Sequence, residues 1–148
     1  MRFIRLITTA MLAGGLVLGG LAGPGADHAD AASKKTAAKA LKVAAKQKGD
    51  PYRRGGNGPS AFDCSGLVQY SYKKAGKKLS RTSASMLKYK KVSKKHRRAG
   101  DILVFLKNGR AYHAALYAGH GKIWEAQRPG TSVKKTKIWS SRYVVRRP

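Results

Sequence analysis

Residues 61–68 read Ala61-Phe62-Asp63-Cys64-Ser65-Gly66-Leu67-Val68, and they stand where a breaker-rich loop gives way to an apolar helical pattern. Upstream, Asp50 to Ser60 holds Pro51, Gly55, Gly56, Asn57, Gly58 and Pro59, a cluster that only a loop accommodates. Downstream, Leu67, Val68, Ser71, Tyr72 and Ala75 share one helical face and Gly76 follows as a stop, so a helix is expected over Ser65 to Ala75. Cys64 then tops a helix start, where unpaired backbone N–H groups and the positive end of the macrodipole favour thiolate over thiol. The same N–H groups can hold a developing oxyanion. Cys64 is the only cysteine, so no internal disulfide can form, and its neighbours Asp63 and Ser65 suit an accessible, reactive thiol better than a packed one.

Towards the N-terminus, the alanine- and lysine-rich run Lys34 to Lys48 carries Leu41, Val43 and Ala44 and ends before Gly49, which predicts a helix. Ahead of it lie Arg2 and Arg5, an apolar stretch from Leu6 to Ala22, and the A-x-A sequence Ala29-Asp30-Ala31. These are the parts of a secretory signal peptide over residues 1–31, leaving 32–148 as one small domain in an exported protein. No segment of 32–148 reads as a membrane span.

The chain has 32 Lys+Arg against 6 Asp+Glu, a formal net charge of +26. Such a protein binds polyanions, and outside a cell the candidates are anionic wall polymers, acidic membrane surfaces and released nucleic acid. Lys88 to Arg98 has no stacking aromatic beyond Tyr89 and reads as a solvated basic loop, so no specific nucleic-acid site is expected. Of the acids in 32–148, Asp50, Asp63, Asp101 and Glu125, most are expected near the candidate site.

Towards the C-terminus, Lys77 to Arg98 reads as a surface segment with a short helix near Ser83 to Tyr89. Asp101 to Phe105 is a buried strand, Lys107-Asn108-Gly109-Arg110 a turn, His113 to Tyr117 a second strand and Lys122 to Ala126 a third. Ile138-Trp139 and Tyr143 to Val145 are expected to add strands, with Trp124 and Trp139 in the core. A three-residue loop at 118–120 would set His113 directly opposite Glu125; a loop at 119–121 would set Gln127 there; an even-numbered loop would turn both away. Glu125 is the first choice to orient the imidazole and Gln127 the reserve. The chemistry is a thiol–imidazole pair with a polar third member, able to attack an acyl carbon. His28, His96 and His120 have no second ligand nearby, so neither a metal nor another cofactor is expected.

Several ordered motifs now stand together: Asp50-Pro51-Tyr52 with Gly55-Gly56, the cysteine run, Arg81-Thr82-Ser83, Gly100 to Phe105, and His113 to Tyr117 followed by Gly119-His120-Gly121-Lys122. In these the chain resembles the NlpC/p60 family of cell-wall peptidases, papain-like cysteine enzymes of small α+β fold with helices packed on an antiparallel sheet. The resemblance implies Cys64 as nucleophile, His113 as base and Glu125 in the third polar position, with Tyr52, Asp63 and Ser65 lining the substrate mouth on the acyl side. It further implies a secreted or wall-associated hydrolase of peptidoglycan stem peptides, cutting between D-γ-glutamate and the following diamino acid. Two positions depart from the family pattern. The third polar residue is commonly histidine, so a carboxylate here would hold the imidazole more tightly and raise its pKa; and Met86 stands where members often carry glutamine. The competing reading is a secreted polyanion-binding or antimicrobial basic protein that uses the same scaffold without turnover.

Overall fold

The computed structural model describes residues 24–148. Two helices, α1 (Pro24–Lys46) and α2 (Cys64–Lys74), pack on a six-stranded antiparallel sheet. Its strands are β1 (Lys90–Val92), β2 (Ile102–Lys107), β3 (Arg110–Gly119), β4 (Lys122–Glu125), β5 (Lys134–Lys137) and β6 (Tyr143–Arg147), in the order β1-β6-β2-β3-β4-β5. The α+β architecture expected from the sequence is the one observed. The central position of β2 follows from its composition, since Ile102 to Phe105 are all fully buried and an unbroken apolar run needs cover on both faces.

The faces alternate. Ile102 and Val104 of β2 join Ala114 and Leu116 of β3 in one cluster with Ala40 and Ala44 of α1 and Leu67, Val68 and Tyr72 of α2. Leu103, Phe105, Ala115, Tyr117, Ile123, Tyr143 and Val145 form the second cluster on the other side. Each large apolar side chain taken fully out of water here contributes about 1.5–3 kcal/mol, which offsets the chain entropy lost in ordering it.

Helix α1 begins at Pro24 rather than Lys34, so it runs through Ala29-Asp30-Ala31, and Asp30 pairs with Lys34 and Arg98. Most of the signal peptide expected over 1–31 lies outside the described residues. Two strand expectations are corrected. Ile138-Trp139 is not a strand; the strand is β5, just before it. Within the segment expected to wrap the surface, β1 pairs with β6. Both are short edge strands rich in exposed lysine, which keeps an edge soluble and removes the apolar alternation by which a strand is read.

Both hairpins of β3 close with two-residue turns. Asn108 (φ 50°) with Gly109 (φ 73°), and His120 (φ 53°) with Gly121 (φ 71°), are consecutive left-handed residues, as a type I′ turn requires. The register then shifts between Phe105 and Leu106, leaving Tyr112 as an extra residue, and between Tyr117 and Gly119, leaving Ala118. The expected three-residue loop is therefore replaced by an even-numbered turn plus a bulge. The turn alone would have sent Glu125 to the other face, and the extra residue brings it back. Beyond the bulge Tyr117 pairs with Ile123 and Leu116 with Trp124. That is the register expected to put Gln127 opposite His113; it sets Glu125 diagonal to His113 rather than directly opposite, and Gln127 lies past the end of β4.

Candidate active site

Cys64 is fixed from the helix side by one carboxylate. Asp63 is the N-cap of α2, and its Oδ1 accepts from the Gly66 N–H at 2.7 Å while Oδ2 accepts from the Gly55 N–H at 3.1 Å. Arg81 closes on the same carboxylate with both terminal nitrogens, at 3.0 and 2.7 Å, and donates to Ser65 Oγ at 3.1 Å. A side-chain cap of this kind is worth about 1 kcal/mol. The loop lies flush on the helix because residue 66 is glycine: a Cβ there would stand 1.9 Å from the Gly56 carbonyl oxygen. Asp63 and Ser65, expected at the substrate mouth, are thus placed together on Arg81, with Ser65 only 5% exposed. Tyr52 is half-buried beside them; burial, then the nearby charges of Cys64 and Asp63, push its phenol above the usual range.

The sheet side brings up the imidazole. His113 and Glu125 are both buried, and His113 Nε2 meets Glu125 Oε2 at 2.7 Å. Glu125 also accepts from Thr136 Oγ1 at 2.9 Å and from Trp139 Nε1, at 3.2 Å to one oxygen and 3.1 Å to the other. With Nε2 committed to the carboxylate, Nδ1 is the nitrogen left for the thiol. The imidazole leans on Phe105 (5.3 Å between ring centroids) and Trp139 (5.7 Å), and the indole stacks on Phe105 at 4.5 Å. Trp139 is 41% exposed, which corrects the expectation that it is core: one face and the N–H are engaged and the remainder meets solvent. On the β4 side the ladder reaches Leu116 and stops, leaving the backbone of His113 to Ala115 open there.

The electrostatics favour charge at all three groups despite burial. Burial pushes the Cys64 thiol up, but hydrogen bonding and charge from His113, with the Ala114 amide, bring it below the ordinary thiol value. Burial pushes His113 down, but Cys64 and Glu125 raise it to about 9. Burial also raises Glu125, and His113, Trp139 and Thr136 more than reverse that. The arrangement favours a thiolate, an imidazolium and a carboxylate in a row, beside free helix N–H groups. Among the described residues no group of three or more His, Cys, Asp or Glu could hold a metal.

Other residues fall elsewhere. Asp101 is buried away from this cluster, accepting from the Arg98 N–H and from two nitrogens of Arg147, each at 2.8 Å, so it locks the C-terminal strand. Met86 is fully buried core. Sequence reasoning missed Arg81, Thr136 and Trp139 as site residues. The Arg81-Thr82-Ser83 motif was a usable signal for the first; nothing local marked the other two, which reach Glu125 only through β5 and the turn after it.

The NlpC/P60 family model matches residues 49–147. A Corynebacterium glutamicum protein named "Probable endopeptidase" is 38% identical over 76% of this chain and 54% of its own length. The bifunctional muramidase/DL-endopeptidase CwlT of Bacillus subtilis is 39% identical (70% and 34% covered), and the murein DD-endopeptidase MepH of Escherichia coli 36% identical (76% and 47%). The chain spans about half or less of the length of these curated relatives. Among solved structures, the resuscitation promoting factor interacting protein RipA, changed at a cysteine, a histidine or a glutamate, matches with TM-scores of 0.69 to 0.70 at 29–30% identity, covering 79% of this chain and 64% of that one. Those three positions are separated by the same intervals as Cys64, His113 and Glu125.

Proposed function

The chain belongs to the NlpC/P60 family, and on that premise we propose that it is an exported cysteine endopeptidase of peptidoglycan, cutting stem peptides between D-γ-glutamate and the diamino acid. The observation that carries this reading is the His113–Glu125 hydrogen bond beside a thiol on the first turn of α2. RipA supports the choice of residues, since a glutamate occupies the same interval there. CwlT, named as a DL-endopeptidase, supports the choice of bond.

The cycle follows from the ionisation. The Cys64 thiolate attacks the acyl carbon, and backbone N–H groups at the start of α2 receive the oxyanion. As the C–N bond breaks, His113 gives its proton to the departing amine, leaving a thioester on Cys64. Water then attacks the thioester, His113 takes its proton, and release of the carboxylate product restores the thiolate–imidazolium pair. Glu125 keeps the ring oriented and its cation stable through both halves. Tyr52 flanks the acyl side, and Asp63 with Ser65 holds that side in shape. Residues 1–31 serve as the export signal, and the basic surface retains the enzyme on an anionic wall.

The test is to incubate the protein and its Cys64→Ala variant with purified peptidoglycan and to identify new amino termini. Diamino-acid amino termini that form only with the intact protein are expected. Equal release from both would contradict the enzyme reading and leave the polyanion-binding alternative, and a different new terminus would overturn the assignment of the bond.

A further inference from the structure

At the end of α2 opposite Cys64, a cleft of about 450 Å³ opens between the helix and the preceding loop, lined by Lys73, Lys74, Lys78, Tyr70, Gln69 and Asn57. The fold makes little use of these cations, beyond Lys74 Nζ lying 5.6 Å from the centroid of the Tyr70 ring. The α2 end is already capped by its own backbone, with Ala75 N–H on Ser71 O (3.2 Å), Gly76 N–H on Lys73 O (3.0 Å) and Lys77 N–H on Tyr72 O (2.8 Å), Gly76 taking φ +95°. No acidic residue lines the cleft, and among the described residues none of the three lysines is in an ion pair. Three like charges around one concavity repel one another and attract an anion.

The walls are preformed. A Cβ on Gly58 would stand 2.5 Å from the Tyr70 ring, so the loop is seated directly on that tyrosine, which also packs edge-on to Phe62 with centroids 5.1 Å apart. The Gln69 side-chain N–H is tied to the Leu79 carbonyl at 3.1 Å, which orients its amide and leaves the oxygen to accept from a hydroxyl. Cations for a phosphate beside an acceptor for a hydroxyl describe one chemistry. We propose that this cleft binds an alditol-phosphate unit in the phosphodiester backbone of an anionic wall glycopolymer. Among the described lining residues only Tyr70 is aromatic, so there is no row of rings for successive bases, and nucleic acid fits less well. The α2 residues of the lining run from Gln69 to Lys74, roughly 8 to 15 Å along the helix axis from Cys64, so a polymer held at the lysines would leave the thiol open.

The choice of a wall polymer rests on the extracellular reading above, but the test reads binding rather than hydrolysis. The probe is purified poly(glycerol phosphate), titrated against the wild type, a Lys73→Gln/Lys78→Gln pair, and a control pair of equal charge loss on the exposed edge strand, Lys90→Gln/Lys91→Gln. The cleft pair is expected to weaken binding about tenfold and the control pair less than about twofold. Equal weakening by both pairs would overturn the site in favour of diffuse charge. A cleft-pair defect just as large on poly-L-glutamate or a single-stranded oligonucleotide would overturn the alditol-phosphate assignment. Hydrolysis of a small soluble stem peptide should be unchanged in both pairs; if the wild type itself does not cut it, the endopeptidase reading fails while the binding comparison stands.

Discussion

The two sides of the Cys64 thiol hold their charges in different ways. On the helix side, Asp63 binds the Gly66 N–H three residues away, together with Gly55 and Arg81, and the Arg81 side chain is 33% exposed. On the sheet side, Glu125 binds His113 of β3 and Thr136 and Trp139 of the β5 segment, all more than ten residues away in sequence, and the His113 and Glu125 side chains are 4% and 1% exposed. Water screens the first cluster, which therefore acts mainly as a brace. In the second there is little water, so a lost charge is felt directly in the neighbour's ionisation.

The largest expected effect is at the residue both sides serve. Cys64→Ser should lower turnover of peptidoglycan on the order of 10³-fold or more with an unchanged thermal melt, because the hydroxyl is far less acidic than the thiol. Near-native turnover by that variant would remove the basis of the comparison.

On the sheet side, Glu125→Ala should reduce kcat/KM on the order of 100-fold, and Glu125→Gln about tenfold, since an amide can still orient the ring but carries no charge. The sign of the pH effect is fixed. Glu125 helps raise His113 to about 9, so without its charge the imidazolium loses its proton at lower pH, and the alkaline limb of the rate profile should move down. An alkaline limb that stays in place in Glu125→Gln would mean the carboxylate only orients. A crippled Gln127→Ala beside a normal Glu125→Ala would transfer the role to Gln127.

The smallest effect belongs to the helix side. Asp63→Ala should cost about 1–2 kcal/mol in denaturant unfolding through the lost cap and the partly screened Arg81 pair, and leave the alkaline limb where it is. If it moved that limb as far as Glu125→Gln does, the brace would be part of the ionisation machinery and the contrast would fail.

The same contrast explains what could be read from the chain alone. Helix α2, its stop at Gly76, the buried run of β2 and the Asn108-Gly109 turn are set by neighbours in sequence, and all were legible. The nearness of His113 and Glu125 was also legible, but through a register that the structure corrects. Direct and diagonal same-face pairings both bring the two close, and a two-residue turn with Ala118 bulged keeps that parity as well as the expected odd-numbered loop does. What could not be read depends on distant pairing. Lysine-rich β1 and β5 become strands only because β6 and β4 offer them edges, and Trp139 reaches Glu125 only once β5 is laid down.

The most direct test of the central claim, that Cys64 and His113 rest as an ion pair, is the rate of Cys64 alkylation by iodoacetamide as a function of pH. With a single cysteine the reaction reports one site. Rapid alkylation is expected on the acid side of the ordinary thiol value of 9.0, then a plateau and a further rise near about 9 as His113 gives up its proton, with a single rise at or above the ordinary value in His113→Ala. A single rise at or above 9.0 in the wild type, superimposable on that of His113→Ala, would contradict the ion pair.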